Sequence, residues 1–303
     1  MNTDFPDYLF CKTNNSLEYQ ANEGKELCKN KNILFCGIVR NVEENIERNI
    51  LRYKRTVEPF SKSRLFLYEN DSTDNTVEIL NRYKSDTIDF VSESRTDADY
   101  VENVGTNKDP HHYHRCQALS ECRNKYLSII QERRWNKEYD LICLVDMDIK
   151  GGWYYDGFYQ SIFLLEQFPD AACMSAYGVL SDFSQTHDLE MHSHEEYLFY
   201  DSFAFRPMGV DPKIHKSVTA FFNPIHYCIG EEPEEVISNF NGMSIYKSKH
   251  FTSDKKYKTN HWKEGFVDSE HIHFHQQIRE SGDSIYINPS LLVSYSHHKF
   301  SRE

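Results

Sequence analysis

Tyr139-Asp140-Leu141-Ile142-Cys143-Leu144-Val145-Asp146-Met147-Asp148 is the stretch on which the fold turns. The run from Tyr139 to Val145, apolar from Leu141 onward, predicts a strand covered on both faces, the pattern of a parallel sheet. The run stops at two carboxylates one residue apart, Asp146 and Asp148. At a strand end such a pair would converge on one hard cation, Mg²⁺ or Mn²⁺. That cation would bridge the phosphates of a nucleoside diphosphate and neutralise charge on a leaving group. Asp-x-Asp alone recurs by chance in solvated loops, so its position after a buried strand carries the reading.

Upstream, the same rhythm repeats. Ile33 to Val39 is an apolar run ending in Arg40-Asn41, and a charged helix is expected from Glu43 to Val57. A second strand, Arg64 to Tyr68, ends in Glu69-Asn70-Asp71-Ser72-Thr73-Asp74-Asn75-Thr76. Helical spacing follows from Val77 to Tyr83, then a short strand from Ile88 to Val91. Residues 94–114 read as a polar loop and 115–133 as a helix. This βαβαβ order predicts an α/β fold with an open, mostly parallel sheet between helices. Such sheets bind ligands at the carboxyl ends of their strands, where three polar clusters fall here.

Beyond residue 150 the pattern is less regular. Residues 181–235 read as loop-rich, with a strand at Gly242–Tyr246, a helix from about Ser269 to Arg279 and a strand at Ser284–Ile287 running into Pro289. Residues 1–30 lack periodicity and read as an irregular arm.

With 39% hydrophobic residues, 20 Tyr and 20 Phe, the 303-residue chain has ample material for a core. Its net charge of −13 argues against nucleic acid as the main partner. The eight cysteines form no Cys-x-x-Cys pair, and several sit in apolar runs, which fits buried thiols in a reducing compartment. The first 20 residues are polar, without a signal-peptide core, and no stretch approaches the length of a membrane span. A soluble, cytoplasmic protein is the expectation.

Several of these motifs together resemble a known family. Tyr68 to Thr76 is similar to the Val-Asp-Asp-Gly-Ser-Thr-Asp-Asn-Thr pattern of GT-A glycosyltransferases. Arg123-Asn124 matches an Arg-Asn pair on the helix before their metal motif, which Asp146–Asp148 matches in turn. Asn241-Gly242 looks like their glycine-containing segment, and Ser269-Glu270-His271-Ile272-His273-Phe274 resembles their Gly-Glu-Asp-x-Asp-Leu helix start. His271 stands where inverting members carry a catalytic Asp. The Ser-Glu-His-Ile-His-Phe-His run is closer to the fungal capsule-associated α-1,3-mannosyltransferase family.

The resemblance implies a GT-A (Rossmann-like) fold in which residues 31–150 bind a nucleotide sugar and residues 151–303 supply the acceptor side. It implies Mn²⁺ or Mg²⁺ on Asp146 and Asp148, with His297 or His298 completing the shell. Imidazole would favour manganese. Arg40, Glu69, Asp71, Arg123 and Asp146 would serve the nucleotide or its phosphates, with GDP-mannose the favoured donor. Glu270, His271 and Asp268 are the candidates beside the glycan acceptor, Glu270 foremost. An inverting enzyme needs a base there, whereas a retaining one could leave the proton to the departing phosphate. A sugar nucleotidyltransferase, or a non-catalytic glycan-binding protein on the same scaffold, are the competing readings. His271, His273 and His275 alternate along a helix and cannot all share one face. Trp153 to Tyr155, close to the metal motif, are candidates for sugar stacking or for plain core packing.

Overall fold

The computed structural model describes residues 16–95, 113–180, 198–209, 225–259 and 267–295. The expectations placed on His297 and His298, and most of the loop expected over residues 94–114, fall outside them.

The described helices are α1 (Ser16–Cys28), α2 (Glu43–Val57), α3 (Thr76–Tyr83), α4 (Tyr113–Glu132), the single turn α5 (Trp135–Glu138), α6 (Tyr155–Gln167) and α7 (Glu270–Glu280). The strands are β1 (Asn32–Val39), β2 (Lys62–Asn70), β3 (Ile88–Glu93), β4 (Leu141–Val145), β5 (Gly152–Trp153), β6 (Ala171–Leu180), β7 (Leu198–Phe199), β8 (Arg206–Pro207), β9 (Glu234–Ser238), β10 (Met243–Lys247) and β11 (Ser284–Ser294).

They form one sheet in the order β3-β2-β1-β4-β10-β6-β11-β9-β8, with β5 on β11 and β7 on β6. From β3 to β11 every strand but β10 runs the same way, because β10 is antiparallel to both β4 and β6. The α/β fold with a largely parallel sheet between helices is therefore what the chain forms.

The sheet buries both faces, as the unbroken apolar runs required. Leu34 and Cys36 of β1 join one core cluster, and Ile33 and Phe35 join the other. Ile142 and Leu144 of β4 follow the first pair, while Leu141, Cys143 and Val145 follow the second. This is the period of two that strand geometry dictates. On α2, Ile46, Asn49, Ile50, Tyr53 and Thr56 face inward at helical spacing.

Three sequence expectations need correction. Residues 16–28 are helix rather than irregular arm: Leu17, Ala21, Gly24 and Cys28 make a buried stripe. The stripe lies against α6, where a Cβ on Gly24 would sit 1.8 Å from the Tyr159 carbonyl oxygen. Residues 284–294 are one strand through Pro289, with the register against β6 shifting between Ile287 and Leu292. The irregular pattern read after residue 150 hides α6 and β6, both nearly enclosed. An element buried on all sides has no polar face to give it a period. All seven described cysteines are free thiols, and six are buried. Among the described residues no helix is long and apolar enough to cross a membrane.

Candidate active site

The carboxyl ends of β1, β2 and β4 open into a cleft of about 590 Å³. Asp146 and Asp148 line it from the β4 end, Arg40 from the β1 end, Arg123 from α4, and Glu270 and His271 from the start of α7. The sequence scatters these residues from Arg40 to His271, and the fold gathers them into one space.

The Asp146–Ile149 turn is held from below. Asn49 of α2, fully buried, donates through Nδ2 to the carbonyls of Met147 and Ile149 at 2.9 and 2.8 Å. Met147 and Ile149 point into the core, so the intervening Asp148 faces out. The Asp146 N–H donates to the Gly242 carbonyl at 2.8 Å, and Oδ2 of Asp146 accepts from the Tyr295 hydroxyl at 3.1 Å. Gly242, at φ 84°, leaves room for that tyrosine, since a Cβ there would lie 2.1 Å from the Tyr295 oxygen.

Electrostatically the pair is uncomfortable. Burial, and then the neighbouring charge of Asp148, push the Asp146 carboxyl up to about 7. Desolvation in the cleft raises Asp148 too. Asp146 is faced by Arg123, whose guanidinium stands 3.8 Å from it and donates through Nε to Glu270 at 2.7 Å. Arg123 and Glu270 are each about 5% exposed or less, so the pair is a desolvated one and breaking it would cost about 3–5 kcal/mol. Arg123 thereby joins the carboxylate pair to the start of α7.

Two oxygen-bearing acids that repel each other at a strand end suit a hard divalent ion. Among the described residues no three His, Cys, Asp or Glu converge to hold one unaided.

Other expected site residues have different surroundings. Glu69 is buried, and its carboxylate accepts from the Ser72 N–H at 2.8 Å and from the Ser92 hydroxyl. Asp71, at φ 53°, accepts from the Arg95 N–H at 2.9 Å and joins the ends of β2 and β3. Neither lines the cleft, although Asn70 between them does. Asp268 is buried and paired with the buried Arg206 at 3.0 Å, also away from the cleft wall.

The segment from Ser72 to Thr76 works chiefly on α2. Ser72, Thr76 and Asp74 accept from the N–H groups of Asn41, Val42 and Glu43 at 2.8–3.1 Å. Asp74 also accepts from the Thr76 N–H at the start of α3. Asn124 grips the backbone N–H and carbonyl of Tyr257, both at 2.9 Å. Trp153 donates to Thr56 at 3.0 Å and is core, and Tyr155 lies under Arg55. His275 is wedged between Ser238 and Tyr246 at 2.9 and 2.7 Å, whereas His273 is only partly buried.

Some cleft residues had no readable signal. Tyr200 lies face to face on Tyr295, 3.6 Å between ring centres, and Asp201 exchanges hydrogen bonds with Asn241. Both come from the stretch read as loop. Tyr295 had a weak signal, a polar residue at the end of the last apolar strand.

The family described as Cryptococcal mannosyltransferase 1 matches residues 32–283, a span that takes in every described residue lining the cleft. The chain belongs to that family. It is a glycosyltransferase.

No curated protein sequence matches the chain. Among solved structures it is similar to the mannosyltransferase PcManGT from Pyrobaculum calidifontis in complex with GDP-Man and Mn²⁺, at 10% identity and a TM-score of 0.49, over 92% of this chain and 65% of that one. It is also similar to S. aureus TarS 1-349, at 10% identity and 0.46, over 88% and 60%. A third, GalNAc-T7 with UDP, GalNAc and Mn²⁺, matches at 9% identity and 0.44, over 89% and 44%.

Proposed function

We propose that the glycosyltransferase moves a hexose, mannose favoured by the family's name, from a nucleoside diphosphate sugar to a glycan hydroxyl, with Mn²⁺ or Mg²⁺ bound at Asp146 and Asp148. The observation that carries the reading is the placement of that carboxylate pair at the β4 end, facing a cleft walled by Arg40, Arg123 and Glu270. GDP-mannose is the favoured donor.

The ion, when bound, would offset the negative charge of the diphosphate as it leaves. The chain's own residues do the rest. Asp146 is fixed by Tyr295 and by its own N–H, so the ligand oxygens are aimed before anything binds. Arg40 lies where the phosphates would enter. Glu270, held rigid by Arg123, orients the acceptor hydroxyl. Asp268, engaged by Arg206, supports the start of α7. Residues 31–150 form the nucleotide half and 151–303 the acceptor half of one domain.

The test is thermal stabilisation by a panel of nucleotide sugars with Mn²⁺, followed by turnover. Ligand at 100 times its Kd adds about 2.7 kcal/mol, enough to raise Tm by several degrees. GDP-mannose should stabilise the protein and release GDP, and Asp148→Ala should abolish both. Pyrophosphate release from a nucleoside triphosphate would instead identify a nucleotidyltransferase.

A further inference from the structure

His271 is the cleft residue whose chemistry is least accounted for. It is 2% exposed, yet neither ring nitrogen has a hydrogen-bond partner among the described residues. Its Nε2 stands 3.6 Å from Oε1 of Glu270, too far for a hydrogen bond, and that oxygen already accepts from Arg123. The rest of its surroundings are aromatic. The ring stacks on Phe240 at 4.0 Å between centres and 14° between planes, and meets Tyr257 edge to face at 5.7 Å. Burial and the nearby Arg123 charge hold it well below the ordinary histidine range, so it is an uncharged imidazole.

An uncharged imidazole presents one donor and one acceptor. Each left unpaired in a desolvated place costs about 1–3 kcal/mol, so a phenylalanine would be the cheaper occupant of this aromatic slot. Compare His275, one turn along α7, which is just as buried but has both nitrogens paired. Orphaned polar atoms on the wall of a binding cleft call for a ligand that supplies the missing partners.

We infer that His271 is a specificity residue whose ring nitrogens hydrogen-bond hydroxyls of the sugar bound in the cleft. This rests on the glycosyl-transfer reading and deepens it. Sugar hydroxyls both donate and accept, so they match either nitrogen, and an aromatic wall suits the apolar face of a hexose. The hydroxyl belongs to the donor hexose or to the acceptor glycan, and kinetics separates the two.

The His271→Phe variant keeps the stack on Phe240 and removes both polar atoms. It should retain or raise the parental Tm and still gain stability from GDP with Mn²⁺, because the metal pair is untouched. Its kcat/KM should nevertheless fall about 10- to 100-fold, as expected when a site built to pair a hydroxyl loses its partner. A rise confined to the donor's KM assigns the hydroxyl to the donor hexose. A rise confined to the acceptor's KM assigns it to the glycan. Deoxy analogues of that sugar should be poor substrates for the parent and no worse than the full sugar for the variant. His271→Gln, which keeps one donor and one acceptor, should recover part of the activity.

Activity of His271→Phe within twofold of the parent would overturn the inference. So would equal losses in the Phe and Gln variants, or a Tm several degrees lower, since either marks a ring that only holds the fold. A parent that gains no stability from any nucleotide sugar would instead sink the transfer reading itself.

Discussion

At the scale of single residues, the cleft carries charge that the metal-free fold does not neutralise. Asp146 is held up to about 7 first by burial and then by Asp148, against an ordinary value near 3.8. A carboxyl raised in this way favours the native state below its unfolded value, and that advantage is lost as pH rises through the folded one. At pH 8 the ionised side chain therefore weakens the metal-free protein. The Asp146→Asn variant, measured without metal, should be about 1–2 kcal/mol more stable than the parent at pH 8, with the gap closing towards pH 5. The same variant should lose Mn²⁺-dependent stabilisation at both pH values. Urea melts with and without Mn²⁺ read both quantities. A variant less stable than the parent at pH 8 would mean that the Tyr295 and Arg123 contacts outweigh the repulsion. The carboxylates themselves were legible, because an apolar run ending in acids is a local pattern. Their clash was not, because it depends on what closes over them.

At the scale of elements, the sequence exposed strands and helices with distinct faces and concealed those with none. The expected helix from Glu43 to Val57 forms with those same ends, since its inward stripe alternates with charge. By contrast, α6 and β6 are nearly all buried, so composition rather than period was their only mark. The polar run from Glu69 to Thr76 shows a second limit. Read alone it is a turn and a helix start, yet Ser72, Asp74 and Thr76 cap α2, which lies before it in the chain. Asn49 was passed over for the same reason: a polar residue on a helix facing inward has no partner in its own neighbourhood. In the fold it is the strut between α2 and the Asp146–Ile149 turn. Asn49→Ala leaves the Met147 and Ile149 carbonyls unpaired in the core and should cost about 1–3 kcal/mol. Beyond stability, the loosened turn should weaken Mn²⁺ binding about tenfold or more, as losses of supporting contacts around metal ligands do. Titration of Mn²⁺ against the folded variant separates the effects, and unchanged affinity would show that the turn keeps its shape unaided.

At the scale of the whole molecule, the parallel direction of β1 to β4 was readable from spacing, but the way the later strands join them was not. That joint is β10, which enters between β4 and β6 against the direction of both. Pairing between strands this far apart in the chain, as Met243 with Val145 and Ser244 with Ser175, leaves no local trace. The family match begins at residue 32, so α1 precedes it, and α1 is tied to the sheet indirectly. Gln160 of α6 donates to Gln20 of α1 at 2.7 Å and accepts from Asn288 of β11 at 3.2 Å. The close crossing depends on Gly24, since a Cβ there would press on the Tyr159 backbone and on nothing that could swing aside. Gly24→Leu should therefore lift α1 off α6. Helix propensity alone favours leucine over glycine by up to about 1 kcal/mol, so any loss must come from the crossing. Hydrogen exchange should show residues 16–28 losing protection while β1, β2 and β4 keep theirs. Stabilisation by GDP-mannose with Mn²⁺ should persist, because the cleft lies at the strand ends and takes no residue from α1. Loss of nucleotide binding together with α1 would mean that the helix braces the cleft through α6 and β11, making the docked helix a working part of the transferase.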